Sequence, residues 1–209
     1  MIVAGVDEAG RGSILGPLII AGIRIDKSKM KHLRSLDVKD SKKLRPQARQ
    51  KLYKKILKVI DKYYLCRLQP EQIDRFVSKR RLNSLEANAM AIVINRLKPQ
   101  IAYVDSCDVK PERFRKAVMS TLKCKARVTS SHHADTNNLA VSAASIIAKV
   151  NRDKEIAEIR KKIGDVGSGY PSDKKTMRFI KRWVRMHKKG PKCARSSWKP
   201  LRELLNGCA

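Results

Sequence analysis

Apolar residues in this chain come in short runs divided by charged stretches, and their spacing predicts alternating strands and helices. Val3 to Val6 and Leu18 to Ile25 read as two strands, joined by a loop with glycines at 10, 12 and 16 that is short enough for an antiparallel hairpin. Lys29 to Leu36 fits a short helix. Pro46 suits the first turn of another, whose Leu52, Ile56, Val59 and Ile60 fall at helical spacing. Tyr63 to Leu68 predicts a strand stopped by Pro70, and Leu85 to Leu97 a helix ended ahead of Pro99. Ile101 to Asp105 is a further strand, followed by a helix over Pro111 to Leu122 and a last apolar stretch, Ala126 to Thr129. A polar loop, Ser130 to Asp135, leads into a long amphipathic helix, Asn138 to Ile163, with Val141, Ser145, Ala148 and Arg152 on one ridge. Gly164 to Asp173 is punctuated by glycine and proline, which divides the chain into a body, 1–163, and a C-terminal extension, 164–209.

Two of these strands end in acids. MIVAGV runs into Asp7-Glu8 and IAYV into Asp105. In open α/β sheets, sites gather outside the carboxyl ends of the strands, so Asp7 and Asp105 meet if the two strands are parallel neighbours, and the helix after Asp105 supports a crossover connection. A hairpin plus parallel strands makes a mixed sheet flanked by helices, an α/β architecture. Successive strand residues point to opposite faces, so Glu8 joins Asp7 only if the chain leaves extended geometry, and Ala9-Gly10 is where it can do so. Asp135 lies just ahead of the long helix and reads equally as a fourth acid or as a helix cap.

Charge changes the picture next. Lys and Arg number 48 against 19 Asp and Glu, a formal net charge of +29, which attracts polyanions, nucleic acid first. From Lys174 to Arg202 there are twelve basic residues and no acid, interleaved with Phe179, Ile180, Trp183, Val184 and Trp198. A helical extension that docks by its apolar face and turns its basic face to phosphates is expected. The five cysteines form no Cys-x-x-Cys pair and predict free thiols in a reducing compartment. No apolar run approaches a membrane span and the N-terminus shows no leader pattern, so a soluble, cytoplasmic protein without membrane association is expected.

Carboxylates on a protein that binds polyanions pose a physical problem, because they repel phosphate. Two like charges at 4 Å cost about 4 kcal/mol at an effective dielectric of 20. Divalent cations resolve this: hard oxygen ligands select Mg²⁺ or Mn²⁺, which also bind a scissile phosphate. The residues point to a metal-dependent nuclease or phosphoryl hydrolase, with two ions about 3.5 to 4 Å apart in a two-metal site. His132 and His133 do not make a zinc site, since adjacent histidines rarely reach one metal and no further ligand stands at zinc spacing. The alternatives are a non-catalytic nucleic-acid-binding protein of ribosomal type, which leaves acids at strand ends unexplained, and a different metal-dependent nuclease.

Asp7-Glu8-Ala9-Gly10-Arg11-Gly12 with Gly16-Pro17, Asp40-Ser41-Lys42-Lys43-Leu44, Tyr103-Val104-Asp105, His132 with Ala134-Asp135, the run Ser142 to Val150, Arg152-Asp153 and Gly167 to Asp173 together resemble ribonuclease HII, the type 2 ribonuclease H family, in its archaeal form. The resemblance runs from residue 2 to about Leu201. It implies an RNase H-like fold and hydrolysis of the RNA strand of RNA/DNA hybrids, with incision 5′ of single ribonucleotides in duplex DNA and 3′-hydroxyl and 5′-phosphate products. It implies that Asp7, Glu8, Asp105 and Asp135 are the catalytic, metal-holding carboxylates for two divalent ions, Mg²⁺ or Mn²⁺. Gly10, Arg11, Gly12 and Tyr170 match the residues that recognise the 2′-hydroxyl, which is the handle separating RNA from DNA at one nucleotide. Lys42, Lys43 and the basic segment hold phosphates in this reading. A monomer, and a replication clamp as partner, are the further expectations. Two positions depart from the family pattern. Ser13 replaces a proline, which is expected to loosen the loop, and His133 replaces a lysine beside Asp135.

Overall fold

The computed structural model describes residues 1–38 and 44–207. In chain order they form β1 (Ile2–Ala9), β2 (Leu18–Asp26), α1 (Met30–Ser35), α2 (Pro46–Val59), β3 (Lys62–Leu68), α3 (Pro70–Val77), α4 (Leu82–Leu97), β4 (Ile101–Asp105), α5 (Pro111–Ser120), β5 (Arg127–Ser131), α6 (Ala134–Asn137), α7 (Leu139–Ile163), α8 (Lys174–His187) and α9 (Lys199–Asn206). The strands make one sheet in the order β3-β2-β1-β4-β5. β1 is antiparallel to β2, with Asp7 opposite Ala21, and parallel to β4, with Val6 opposite Val104. β5 runs parallel to β4. The mixed sheet expected from a hairpin followed by crossovers is therefore present.

By backbone contacts the chain divides into two compact units. One comprises Met1–Ala9, Ile19–Cys66 and Asn83–Val150; the other comprises Gly10–Leu18, Arg67–Leu82 and Asn151–Ala209. In the first unit, one face of the sheet carries Val3, Ala9, Ile19, Ala21, Ile23 and Ile25 against the small and apolar residues of α7, from Leu139 to Val150. Gly5 explains how closely that helix approaches: a Cβ there would lie 2.1 Å from the Ala140 carbonyl carbon. The other face meets α4, where Gly22 leaves room for Val93 and Leu97. Strands with both faces covered read as continuous apolar runs, which is why β1 and β2 were legible as strands without clear alternation.

The second unit has its own core of Ile14, Leu15, Ile156, Val166, Phe179, Ile180, Val184, Ala194 and Leu201. α8 buries Thr176, Phe179, Ile180 and Val184 and leaves Lys174, Lys175, Arg178, Lys181, Arg182 and Arg185 exposed. Three local differences from the sequence reading stand out. α3 occupies a stretch where the sequence pattern shows only a strand stop at Pro70; Pro70 is its first residue, and the Gln69 N–H donates to Gln72 Oε1 across the first turn. The basic segment is two helices, α8 and α9, because Gly190 and Pro191 interrupt it. Asn138, and not Asp135, caps α7, its Oδ1 accepting from the N–H of Ala140 at 2.9 Å. Among the described residues no helix is long and apolar enough to cross a membrane.

Gly5→Ala is expected to destabilise the protein by about 3 kcal/mol, the upper end for overpacking, because the obstructing atoms are backbone. Urea denaturation measures this, and a loss well below 1 kcal/mol would show that α7 shifts freely.

Candidate active site

Asp7 and Asp105 are held at one level by strand register. The β1–β4 ladder pairs Gly5 with Tyr103 and Val6 with Val104, so the next residues, Asp7 and Asp105, stand side by side on the face that looks toward α7. Glu8 does not arrive by the expected departure from strand geometry. β1 stays paired with β2 through Glu8 and Ala9, opposite Ile20 and Ile19. The chain turns only at Gly10, whose φ is +92°. Glu8 thus belongs to the α4 face, where Glu86 lies near it. It still reaches the other acids, because the β1–β4 ladder ends at Val6 and leaves that edge of β1 open beside the longer Glu side chain. One carboxylate oxygen each from Asp7, Glu8 and Asp105 lies within 4.8 Å of the others.

Electrostatics set these groups apart. Asp7 is 4% exposed. Burial, with the charges of Asp105 and Asp135, lifts its pKa to about 7, although the Ser145 hydroxyl and the Glu8 N–H, 2.7 Å from Asp7 Oδ1, both favour the ionised form. Ser145 Oγ is buried and stands outside hydrogen-bond geometry, so its help is partial. Glu8 is pushed well above the usual carboxylate range by burial first and then by Asp7, Glu86 and Asp105. Its Oε2 is buried with no hydrogen-bond partner. A buried orphan oxygen among clustered carboxylates is the donor set a hard divalent cation takes, so these residues fit a metal.

Asp105 Oδ1 accepts the N–H of Ala134 at 2.7 Å, which ties the loop carrying Asp135 to the end of β4. Asp135 is buried on α6, near enough to raise Asp7, but lies outside the trio whose oxygens converge. The short α6 is held by the Ser142 hydroxyl, which donates to the Asp135 carbonyl. His133, the residue before it, is in left-handed conformation with φ +53°.

The glycine loop and Tyr170 fall together in the second unit. The N–H groups of Ile14 and Leu15 both donate to the Gly169 carbonyl, at 2.8 and 3.1 Å. Arg152, buried on α7, donates to the Leu15 carbonyl and lies over the Tyr170 ring at 5.7 Å. Gly12 is exposed, with nothing within 4 Å of where a Cβ would stand. Ser13 does not loosen this turn: it is buried, and its hydroxyl and N–H both donate to the Gly10 carbonyl, at 2.8 and 3.2 Å. Lys42 and Lys43 lie outside the described residues.

The sequence reading missed three groups. Glu86 is fully buried on α4, and its signal was an acid on the stripe it shares with Met90, Val93 and Leu97. Ser145 was noted only as a ridge residue. Arg195 was counted among the phosphate-facing bases, yet it is fully buried.

A sequence profile described as Ribonuclease HII matches residues 4–201. The ribonuclease HII of Cenarchaeum symbiosum is 48% identical over 207 residues, 99% of this chain and 100% of that protein. The chain belongs to the ribonuclease HII family. The crystal structure of the ribonuclease H2 from Pyrococcus horikoshii is similar at a TM-score of 0.92 and 42% identity, covering 100% of this chain and 99% of the other. The ribonuclease HII in a PCNA:RNase HII complex from Archaeoglobus fulgidus is similar at a TM-score of 0.88 and 41% identity, covering 95% and 96%. The fold is RNase H-like, and the chain is an endoribonuclease of the ribonuclease H type. The divalent-metal dependence of the family matches the acidic cluster.

With divalent metal chelated away, folded Asp7 keeps its proton up to about pH 7, while the unfolded chain releases it near the ordinary aspartate value of 3.8. The folded state then binds more protons across that window, so stability falls as pH rises through it, by at most about 1.4 kcal/mol per pH unit, and levels off above it. Urea denaturation of chelated protein between pH 4.5 and 7.5 should show this slope flattened in Asp7→Asn; equal slopes would remove the assignment. Added Mn²⁺ should stabilise the wild type more at pH 7.5 than at 5.5, because the ligands must be deprotonated.

Proposed function

We propose that this enzyme hydrolyses the RNA strand of RNA/DNA hybrids and incises 5′ of single ribonucleotides embedded in duplex DNA, leaving 3′-hydroxyl and 5′-phosphate ends. The observation that carries the reading is the convergence of Asp7, Glu8 and Asp105, with an orphan buried oxygen on Glu8, in a chain of net charge +29. Asp7, Glu8 and Asp105, with Asp135 as the fourth carboxylate, would hold Mg²⁺ or Mn²⁺, two ions when substrate is bound. Divalent ions held there would neutralise developing charge on phosphate and lower the pKa of water. The protein's own part would be to bring Asp7, Glu8 and Asp105 together with Asp135 near them, to bury Asp7 so that its proton is exchanged near neutral pH, and to keep Glu8 Oε2 unsatisfied by protein.

Gly10, Arg11, Gly12 and Tyr170 would read the 2′-hydroxyl. The exposure of Gly12, and the pairing of this loop with the Gly169-Tyr170 segment, support that assignment. Lys42, Lys43 and the exposed bases of α8 would bind phosphates and so set register without reading sequence. The enzyme would work as a cytoplasmic monomer, with a sliding clamp as partner, as PCNA is for the Archaeoglobus protein.

End-labelled duplex DNA with one ribonucleotide, incubated with the protein and Mg²⁺ or Mn²⁺, should be cut once, 5′ of that ribonucleotide. Equal cutting of all-DNA duplex, or none at the ribonucleotide, would sink the reading. Asp7→Asn should bring turnover to background with hybrid binding retained, and normal cutting by that variant would remove the metal-site assignment. Replacing Arg178, Arg182 and Arg185 together by Ala should reduce the slope of log Kd against log salt by about 2 to 3. An unchanged slope would take α8 off the substrate path.

A further inference from the structure

Arg195 has the wrong surroundings for a phosphate-binding residue. It is 0% exposed, the bulkiest of the fully buried side chains, in a segment whose other bases are exposed. Its guanidinium is spent on backbone carbonyls of one loop: Nη2 donates to Gly10 O at 2.7 Å and to Gly16 O at 3.1 Å, Nη1 to Arg11 O at 2.7 Å, and Nε to Gly16 O at 3.2 Å. The Trp198 ring lies 5.0 Å below the guanidinium carbon. Backbone bonds fasten the same stretch to the same loop, since the Arg195 N–H donates to Ile14 O and the Gly16 N–H to Cys193 O. Asp74 on α3 then seats the next two residues, accepting the N–H groups of Ser196 and Ser197 and the Ser197 hydroxyl.

We propose that Arg195 is a positioning residue for ribonucleotide selection, a planar fork that fixes the carbonyls of Gly10, Arg11 and Gly16 inward and so sets the face the glycine turn presents outward. Gly10 and Gly16 both have positive φ, +92° and +80°, so side-chain bulk does not hold the turn in one conformation. Something else must, and four guanidinium hydrogen bonds from a single rigid group do so. Carbonyls held inward by a cation also polarise their peptide units, which strengthens the outward N–H groups as donors. Lysine keeps the charge but offers three tetrahedral donors on a flexible stem and cannot reproduce the fork.

The inference rests on the reading that Gly10 to Gly12 sense the 2′-hydroxyl, and the test separates the two. Selectivity is the ratio of kcat/KM on duplex containing one ribonucleotide to kcat/KM on the matched all-DNA duplex. If the wild type shows no selectivity, the underlying reading fails before any variant is examined. Given selectivity in the wild type, Arg195→Lys should reduce the ratio by on the order of tenfold to a hundredfold, mainly through kcat on the ribonucleotide substrate. Mn²⁺ binding and duplex affinity measured with Ca²⁺ should stay within about twofold, since the metal ligands and the exposed bases are unaltered. A uniform loss on both substrates, tracking the folded fraction, would make Arg195 a stability residue and overturn the proposal. If Arg195→Lys does not fold, Asp74→Ala carries the test from outside the fork: it should reduce the ratio about threefold. An unchanged ratio would equally overturn the role.

Discussion

Repulsion among Asp7, Glu8 and Asp105 is the constraint around which the first unit is built. Three carboxylates whose oxygens lie within 4.8 Å of one another cannot all be ionised in a buried setting without a cation. The sheet brings them there regardless, because parallel β1 and β4 end at the same level and α7 closes over them where Gly5 admits Ala140. The molecule meets the repulsion by keeping protons: the Asp7 pKa rises to about 7 and that of Glu8 climbs well above its usual value. Stability and metal binding would therefore oppose each other at this point, since the deprotonation that metal ligands require is what weakens the metal-free fold.

A second acid shows that proximity in sequence does not decide which carboxylates join such a site. Asp108 follows Asp105 by three residues and is buried, yet it is pulled down to about 2, first by Arg113, whose two nitrogens grip it at 2.6 and 3.0 Å. The Lys110 N–H and the Asn83 amide add further bonds. Asp108 is thus a paired anchor for the turn from β4 into α5, while an oxygen of Asp105 converges with those of Asp7 and Glu8. Three residues apart, one acid is locked by an arginine fork and the other converges with two further carboxylates.

Much of this was legible in the sequence, and what was not has definite causes. Short apolar runs ending in Asp7 and Asp105 marked the two strands, and parallel pairing was the condition on which the two acids would meet, because sites in open α/β sheets gather at the carboxyl ends of the strands. Glu8 was misjudged for want of one tertiary fact. Alternation along the strand does place it on the α4 face. What returns it to the cluster is the end of the β1–β4 ladder at Val6, which no local pattern encodes. α3 was overlooked because proline closes strands and opens helices equally well, and only its packing partners choose between them. Ser13 was expected to relax a turn that it reinforces, since its hydroxyl makes a bond to Gly10 O that a proline ring cannot.

The basic C-terminal segment shows most clearly why charge counted along a sequence is not charge presented to a ligand. Lys174, Lys175, Arg178, Lys181, Arg182 and Arg185 form the solvent side of α8, and counterion release on binding a polyanion draws on such exposed groups. Arg195, ten residues further on, contributes nothing to that term, because a buried guanidinium engaged by four carbonyl contacts carries no condensed counterions to release. Its burial is tolerable because those carbonyls and the Trp198 ring answer its donors and its charge in a low-dielectric setting where the same contacts are stronger than in water. One run of basic residues thus holds two kinds of cation, one kind exposed at the surface and one inside, bonded to the chain's own glycine turn.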